Sequence, residues 1–171
     1  MNQNSSSFIS LNISIVIVSD SRNESSDKSG KVLVSRILEA GHNLIEKKII
    51  RDEPNDINSF LTQAIRNGKC NVILLSGGTG ATGRDSTPEV VKRLLTKEIP
   101  GFGEIFRYIS FKKIGTSSLQ SRAIGGLAHS TFIFALPGSP GAGIVYVLQA
   151  LEPSFKLVAC NHPLIPYSAP E

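Results

Sequence analysis

Along the chain, short apolar runs of period two, or of no period, alternate with longer stretches whose apolar residues stand three or four apart. Residues 11–19 (LNISIVIVS) alternate Leu11, Ile13, Ile15 and Ile17 with Asn12 and Ser14, then lose the polar partner at Val16 and Val18. That pattern predicts a strand that becomes buried on both faces as it enters a sheet. A polar loop follows over residues 20–29. Leu33, Val34, Ile37 and Leu38 then stand at helical spacing, and Gly41 supplies a left-handed stop. Residues 43–51 predict the second strand. In the second helix Asn55 is the expected cap, with Ile57, Phe60, Leu61, Ala64 and Ile65 on one stripe.

The run Val72-Ile73-Leu74-Leu75, ending in Ser76, suits a central parallel strand. After a loop over residues 77–86, Thr87-Pro88-Glu89 has helix-start chemistry: a capping hydroxyl, a proline for the first helical position and an acid for the positive dipole end. Residues 101–123 predict an irregular helical stretch. Residues 132–136 (FIFAL) predict another buried strand, closed by Pro137-Gly138-Ser139-Pro140-Gly141. A last helix has Ile144, Val147, Leu148 and Leu151 on one face and must kink or end at Pro153. Strand and helix in alternation imply right-handed crossovers and a doubly wound, mostly parallel α/β sheet. Without repeat or linker, one domain is expected from residue 11 onward, after a polar, frayed tail over residues 1–10.

Composition narrows the function more than the fold. The chain has 171 residues, 40% apolar and 19% charged, which allows a core without metal or disulfide staples. The net charge of +4 is scattered over pairs such as Lys47-Lys48 and Lys112-Lys113, and there is no tryptophan for base stacking, so nucleic acid is not an expected partner. Two cysteines (Cys70, Cys160) and three separated histidines (His42, His129, His162) form no zinc or disulfide framework. No stretch approaches the ~18 apolar residues of a membrane span. A reducing, cytoplasmic setting without membrane contact is the expectation.

In open α/β sheets ligands bind beyond the carboxyl ends of the strands. Those ends deliver Ser19-Asp20-Ser21, Arg51-Asp52, Ser76-Gly77-Gly78-Thr79-Gly80 and Pro137-Gly138-Ser139-Pro140-Gly141 to one edge. Four glycines between Gly77 and Gly83 let several N–H groups converge as an anion-binding concavity, with the helix opening at Thr87 adding a positive dipole end; the alternative is a flexible turn. The loop is neither a dinucleotide fingerprint, since it follows the third strand and not the first, nor a P-loop, since Arg84-Asp85 replace the Lys and the Ser or Thr. Asp85 beside a phosphate cradle points to bridging Mg²⁺; otherwise it caps the next helix or pairs with Arg84. Asp20 and Asp52 follow the same logic, evenly balanced with structural roles. Ser139 and its backbone suit phosphate or hydroxyl binding, while Pro137 and Pro140 rigidify their loop. Arg122, after Ser121, either grips an anion by forked hydrogen bonds or is an ordinary surface arginine. These residues point to metal-assisted chemistry on, or binding of, a phosphorylated ligand.

Six blocks in register carry a resemblance. Val18-Ser19-Asp20-Ser21, Asp27-Lys28-Ser29-Gly30, Ser76-Gly77-Gly78-Thr79-Gly80, Arg84-Asp85-Ser86-Thr87-Pro88-Glu89, Ile99-Pro100-Gly101-Phe102-Gly103-Glu104 and Leu136-Pro137-Gly138-Ser139-Pro140-Gly141 resemble the MoaB/MogA family of molybdenum cofactor biosynthesis proteins, over nearly the whole chain. Residues 106–122 (FRYISFKKIGTSSLQSR) look closer to the MoaB branch. The resemblance implies a three-layer αβα sandwich with a mostly parallel sheet, and a homo-oligomer, a trimer or a hexamer. It implies adenylyl transfer from Mg-ATP to the terminal phosphate of molybdopterin, with other molybdenum cofactor biosynthesis proteins as partners. A non-catalytic molybdopterin-binding or carrier protein of the same fold is the alternative. Carried onto this chain, Gly77, Gly78, Thr79 and Gly80 together with Gly138, Ser139, Pro140 and Gly141 would hold phosphate or pterin. Asp20, Ser21, Ser121 and Arg122 would join them, and Asp52 and Asp85 would serve Mg²⁺ and transfer. One departure is Gly83, where the family usually has proline.

Overall fold

A computed structural model describes residue 8, residues 10–83 and residues 85–138. Its six strands are β1 (Asn12–Val18), β2 (Asn43–Ile50), β3 (Val72–Ser76), β4 (Lys97–Glu98), β5 (Ile124–Ala128) and β6 (Thr131–Leu136). Its helices are α1 (Lys28–Glu39), α2 (Pro54–Asn67), α3 (Thr87–Leu94) and α4 (Pro100–Ile114), and a 3-10 helix covers Gly115–Gln120. The sheet order is β2-β1-β3-β6-β5-β4. β2, β1, β3 and β6 run parallel, and β5 and β4 complete the edge antiparallel.

The alternation read in the sequence becomes two cores. Ile13, Ile15 and Ile17 of β1 point with Val72, Leu74, Phe132 and Phe134 toward Leu33 and Ile37 of α1 and Phe102 and Phe106 of α4. Val16, Val18, Ile73, Leu75, Ile133 and Ala135 face the other way, onto Ile57 and Leu61 of α2 and Val90 and Val91 of α3. Both sides of the central strands are therefore dry, which is why their polar partners vanish from the sequence. The result is three layers, with α1 and α4 on one face and α2 and α3 on the other.

Helix starts depart from expectation in two places. α2 begins at Pro54 with Glu53 as its cap residue, so Asn55 lies inside the helix and caps nothing. α3 has Ser86 in the cap position, and Thr87 is its first helical residue. In α2 the proline fixes the first helical residue one position ahead of the favoured capping side chain. The stretch 101–123 divides into α4, the 3-10 helix and an extended lead into β5, a strand that hydropathy did not predict. α1 is capped by the fully buried Asp27, whose Oδ1 accepts the Gly30 N–H at 2.8 Å. Its Oδ2 lies 2.9 Å from Lys47 Nζ, and Glu24 lies 2.5 Å from the same ammonium. Burial works against the Lys47 charge, but the hydrogen bonds and charges of Glu24 and Asp27 raise its pKa. That pair ties the β1–α1 loop to β2. Phe8 stacks on His42, with ring centroids 5.3 Å apart. The Ser10 hydroxyl donates to the Gly41 carbonyl at 2.9 Å, and the rest of the expected tail falls outside the described residues, as do Arg84, Ser139, Pro140, Gly141 and the last helix.

Candidate functional site

Register brings the loop-forming ends together. Ile17 pairs with Ser76, and Ser76 with Leu136, so β1, β3 and β6 all end at one level. Beyond them Gly77 continues the ladder by donating its N–H to the Leu136 carbonyl at 3.0 Å. Gly77 takes φ 119° and Gly78 φ 61°, conformations that side-chain-bearing residues rarely adopt. A Cβ on Gly77 would sit 2.1 Å from the Val18 carbonyl oxygen, so the loop reverses only because nothing is there. Among the described residues, the N–H groups of Gly78 and Thr79 have no hydrogen-bond partner. They form one end of a cleft of about 470 Å³.

The cleft is walled on one side by Ser19, Ser21 and Arg22, by Gly77 to Gly80 with Asp85, and by Pro137 and Gly138. A second wall comes from α4 and the 3-10 helix: Phe106, Ser110, Lys113, Ile114, Ser117 and Gln120, continued by Ser121. Its size is within the range of about 300–1,000 Å³ usual for small-ligand sites. Among the described residues the buried Ser121 hydroxyl has no hydrogen-bond partner.

Asp85 reaches the cleft, where its Oδ2 accepts from the Thr82 hydroxyl and, at 3.3 Å, from the Thr82 N–H. The Thr82 hydroxyl first, joined by the Gly80 and Thr82 N–H groups and the Arg122 charge, holds its carboxyl below the usual range against the opposing effect of burial. Asp85 is therefore ionised at neutral pH. Asp52 takes another position. It does not line the cleft; its Oδ1 lies behind Gly78, where a Cβ would approach it to 2.7 Å. The Asp52 N–H donates to Asp20 Oδ1 at 3.1 Å, so these two acids belong to one loop pair at the end of β1 and β2. The structure brings Ser21, Gly77, Gly78, Thr79, Gly80, Asp85, Ser121 and Gly138 to the cleft, and places Asp20, Asp52 and Arg122 outside its lining. Arg122 instead joins Glu89, donates to the Asp85 carbonyl at 2.7 Å, and approaches the Thr79 carbonyl at 3.4 Å.

Sequence reasoning missed Arg22, Ser29 and the α4 wall apart from Ser121. Ser29 was visible as the serine of Asp27-Lys28-Ser29-Gly30, but nothing in its local pattern places it against Gly138, 109 residues away, which its hydroxyl reaches at 2.9 Å. Phe106 and Ser110 are one helical turn apart on the inward side of α4, a spacing that reads as core until the neighbouring loops are placed.

Residues 14–156 match the family model described as a probable molybdopterin binding domain. The molybdenum cofactor biosynthesis protein B of Escherichia coli is 44% identical over 142 residues, 83% of this chain and 84% of that protein. The chain belongs to this molybdopterin-binding family. The protein of the same name from Halalkalibacterium halodurans is 47% identical over 130 residues, 75% of this chain and 76% of that protein. Among solved structures, a molybdenum cofactor biosynthesis protein B superposes with a TM-score of 0.82 at 38% identity, covering 88% of this chain and 94% of that one. MoaB of Pyrococcus furiosus, described as a tungsten cofactor synthesizing protein, gives 0.78 at 28% identity, covering 89% and 96%. The family likeness and the three-layer fold agree with the six sequence blocks. No helix among the described residues is long and apolar enough to cross a membrane.

Proposed function

We propose that this member of the molybdenum cofactor biosynthesis family adenylylates molybdopterin with Mg-ATP. The observation that carries the reading is the asymmetry of the cleft. One end offers unpartnered backbone N–H groups at Gly78 and Thr79, which suit phosphate. The other offers Phe106 for a ring face and Ser110, Ser117, Gln120 and Ser121 for the polar edge of a fused heterocycle. A flat, polar-edged ring bearing a phosphate fits both ends at once. In the transfer, an oxygen of the molybdopterin phosphate bonds to the α-phosphorus of ATP, the α–β bridging bond breaks, and pyrophosphate leaves. The chain's part is to align the two phosphates and to exclude water.

The donor set fits Mg²⁺ as phosphoryl-transfer sites usually take it, through one or two carboxylates plus the substrate's own phosphates. Among the described residues no three His, Cys, Asp or Glu side chains cluster, so no protein cage is expected. Asp85, ionised and facing the cleft, would hold the ion, with Asp52 behind Gly78 as the second acid. When bound, the ion neutralises phosphate charge. A second reading, a molybdopterin-binding or carrier protein without transfer, draws on Asp52 standing outside the cleft lining. Homo-oligomerisation is part of the proposal: Ile105, Tyr108 and Phe111 of α4 are each more than half exposed, an apolar stripe suited to a second copy. The test is incubation with molybdopterin, ATP and Mg²⁺, assaying adenylylated pterin. Wild-type product and its loss by at least about 100-fold in Asp85→Asn support transfer. Tight molybdopterin binding without product supports the carrier.

A further inference from the structure

Two arginines flank the glycine loop, and their surroundings are opposite. Arg122 is neutralised by Glu89 and turned onto the carbonyls of Thr79 and Asp85, where it holds the loop against the start of α3. Arg22 is half-buried, lines the cleft, and meets only neutral acceptors. Its Nη2 donates to the Gly138 carbonyl at 2.5 Å and its Nη1 to the Ser29 hydroxyl at 3.0 Å. Among the described residues no carboxylate comes within ion-pair distance of it. A guanidinium drawn partly out of water without a counter-charge lowers its free energy when an anion arrives. It sits beside Gly77 and Gly138, on the side of the cleft where the Gly78 and Thr79 N–H groups stand unpartnered.

We infer that Arg22 is the cleft's anion-binding side chain, gripping a phosphoryl group against the glycine-loop amides, and that Arg122 is a positioning residue for that loop. The inference rests on reading the cleft as a site for phosphate-bearing ligands. Hydrogen bonds to the Gly138 carbonyl and the Ser29 hydroxyl fix the Arg22 fork, so the group is held in place before a ligand binds, and its remaining N–H groups suit a planar, two-point grip on phosphate. The phosphate can belong to the nucleotide or to the pterin, and separate titrations tell them apart.

The experiment is calorimetric titration of wild type and variants with Mg-ATP and, separately, with molybdopterin, at two salt concentrations. Arg22→Gln should weaken the ligand whose phosphate it grips by about 10- to 100-fold and flatten its salt dependence. The other ligand should change by no more than about twofold. Arg22→Lys, which keeps the charge and loses the fork, should retain the salt dependence with an intermediate loss. Ser29→Ala removes a hydroxyl that accepts from Arg22 and donates to Gly138, leaves the charge and the Arg22–Gly138 bond in place, and should stay within about threefold of wild type. Wild-type affinity and salt dependence for both ligands in Arg22→Gln would overturn the inference. So would an equal loss in Ser29→Ala, which would make Arg22 a tether of Gly138 only. Should Arg22→Gln fail to fold, an unaltered salt dependence in Arg22→Lys with Ser29→Ala near wild type supports the inference, and a flattened one opposes it. Wild type that binds neither ligand contradicts the reading of the cleft itself, whatever the arginine variants do.

Discussion

The two walls of the cleft are made of different material. The glycine-loop wall is backbone: Gly77 and Gly78 reverse in left-handed conformations, Gly77 passes under the Val18 carbonyl, and Gly138 packs against Gly77 with a Cβ position only 3.1 Å from its Cα. The α4 wall is side chain: Phe106, Ser110, Gln120 and their neighbours project from a helix and a 3-10 turn. A backbone wall is rigid and tolerates no added atom, but it reads only a shape and a charge. A side-chain wall can be edited residue by residue and can tell one ring from another. Phosphate, which every candidate ligand shares, would belong to the first wall, and the ring that distinguishes ligands to the second.

The sharpest way to break this comparison is Gly77→Ala. Its Cβ has no room beside the Val18 carbonyl and its φ is unfavourable for alanine, so stability should fall by about 3 kcal/mol, read by urea unfolding. A neutral result would mean that the loop can reroute and that the wall is not rigid. On the other wall, Ser121→Ala should lower molybdopterin affinity by about tenfold while leaving stability unchanged or raising it by about 1 kcal/mol, because its buried hydroxyl has no partner. Opposite signs in calorimetry and unfolding would mark a group placed for a ligand. Glu89→Gln should cost less than about 1 kcal/mol, since the acid is half-exposed, yet slow turnover several-fold by releasing Arg122 from its brace. The smallest effect is in acid. Asp85 titrates below its ordinary value of 3.8 in the folded protein, so the stabilisation it gives is present above that value and disappears as pH falls through the folded pKa. Carboxyl-carbon NMR should place the Asp85 midpoint below 3.8, with the loop unchanged from there to neutrality.

The same division explains what the sequence made legible. β1, β3 and β6 announce themselves because both faces are buried, and glycine clusters after strands mark a backbone-built wall without any knowledge of contacts. β5 stayed hidden because it is Ile124-Gly125-Gly126-Leu127-Ala128, with two residues that disfavour strands. The structure supplies the reason: a Cβ on Gly125 would meet the Phe134 ring at 2.3 Å, and one on Gly126 the Lys97 carbonyl at 2.3 Å. Those glycines serve close packing, a long-range fact. The α4 wall was illegible for a related cause, since inward serines and a phenylalanine on a helix mean a site only once the loops across from them are in place. Arg122 reads either as an anion grip or as an ordinary surface arginine, and its pairing with Glu89, 33 residues away, arises only through the fold. Arg22, in a polar loop, gives no local signal at all.

The most direct measurement of the central claim is amide NMR during separate titrations with Mg-ATP and molybdopterin. If the backbone wall takes phosphate and the α4 wall takes the ring, both ligands should shift the Gly78 and Thr79 amides and slow their exchange with water. Molybdopterin should in addition move Ser117, Gln120 and Ser121. Ligand binding that leaves the Gly78 and Thr79 amides unshifted and freely exchanging would contradict the account.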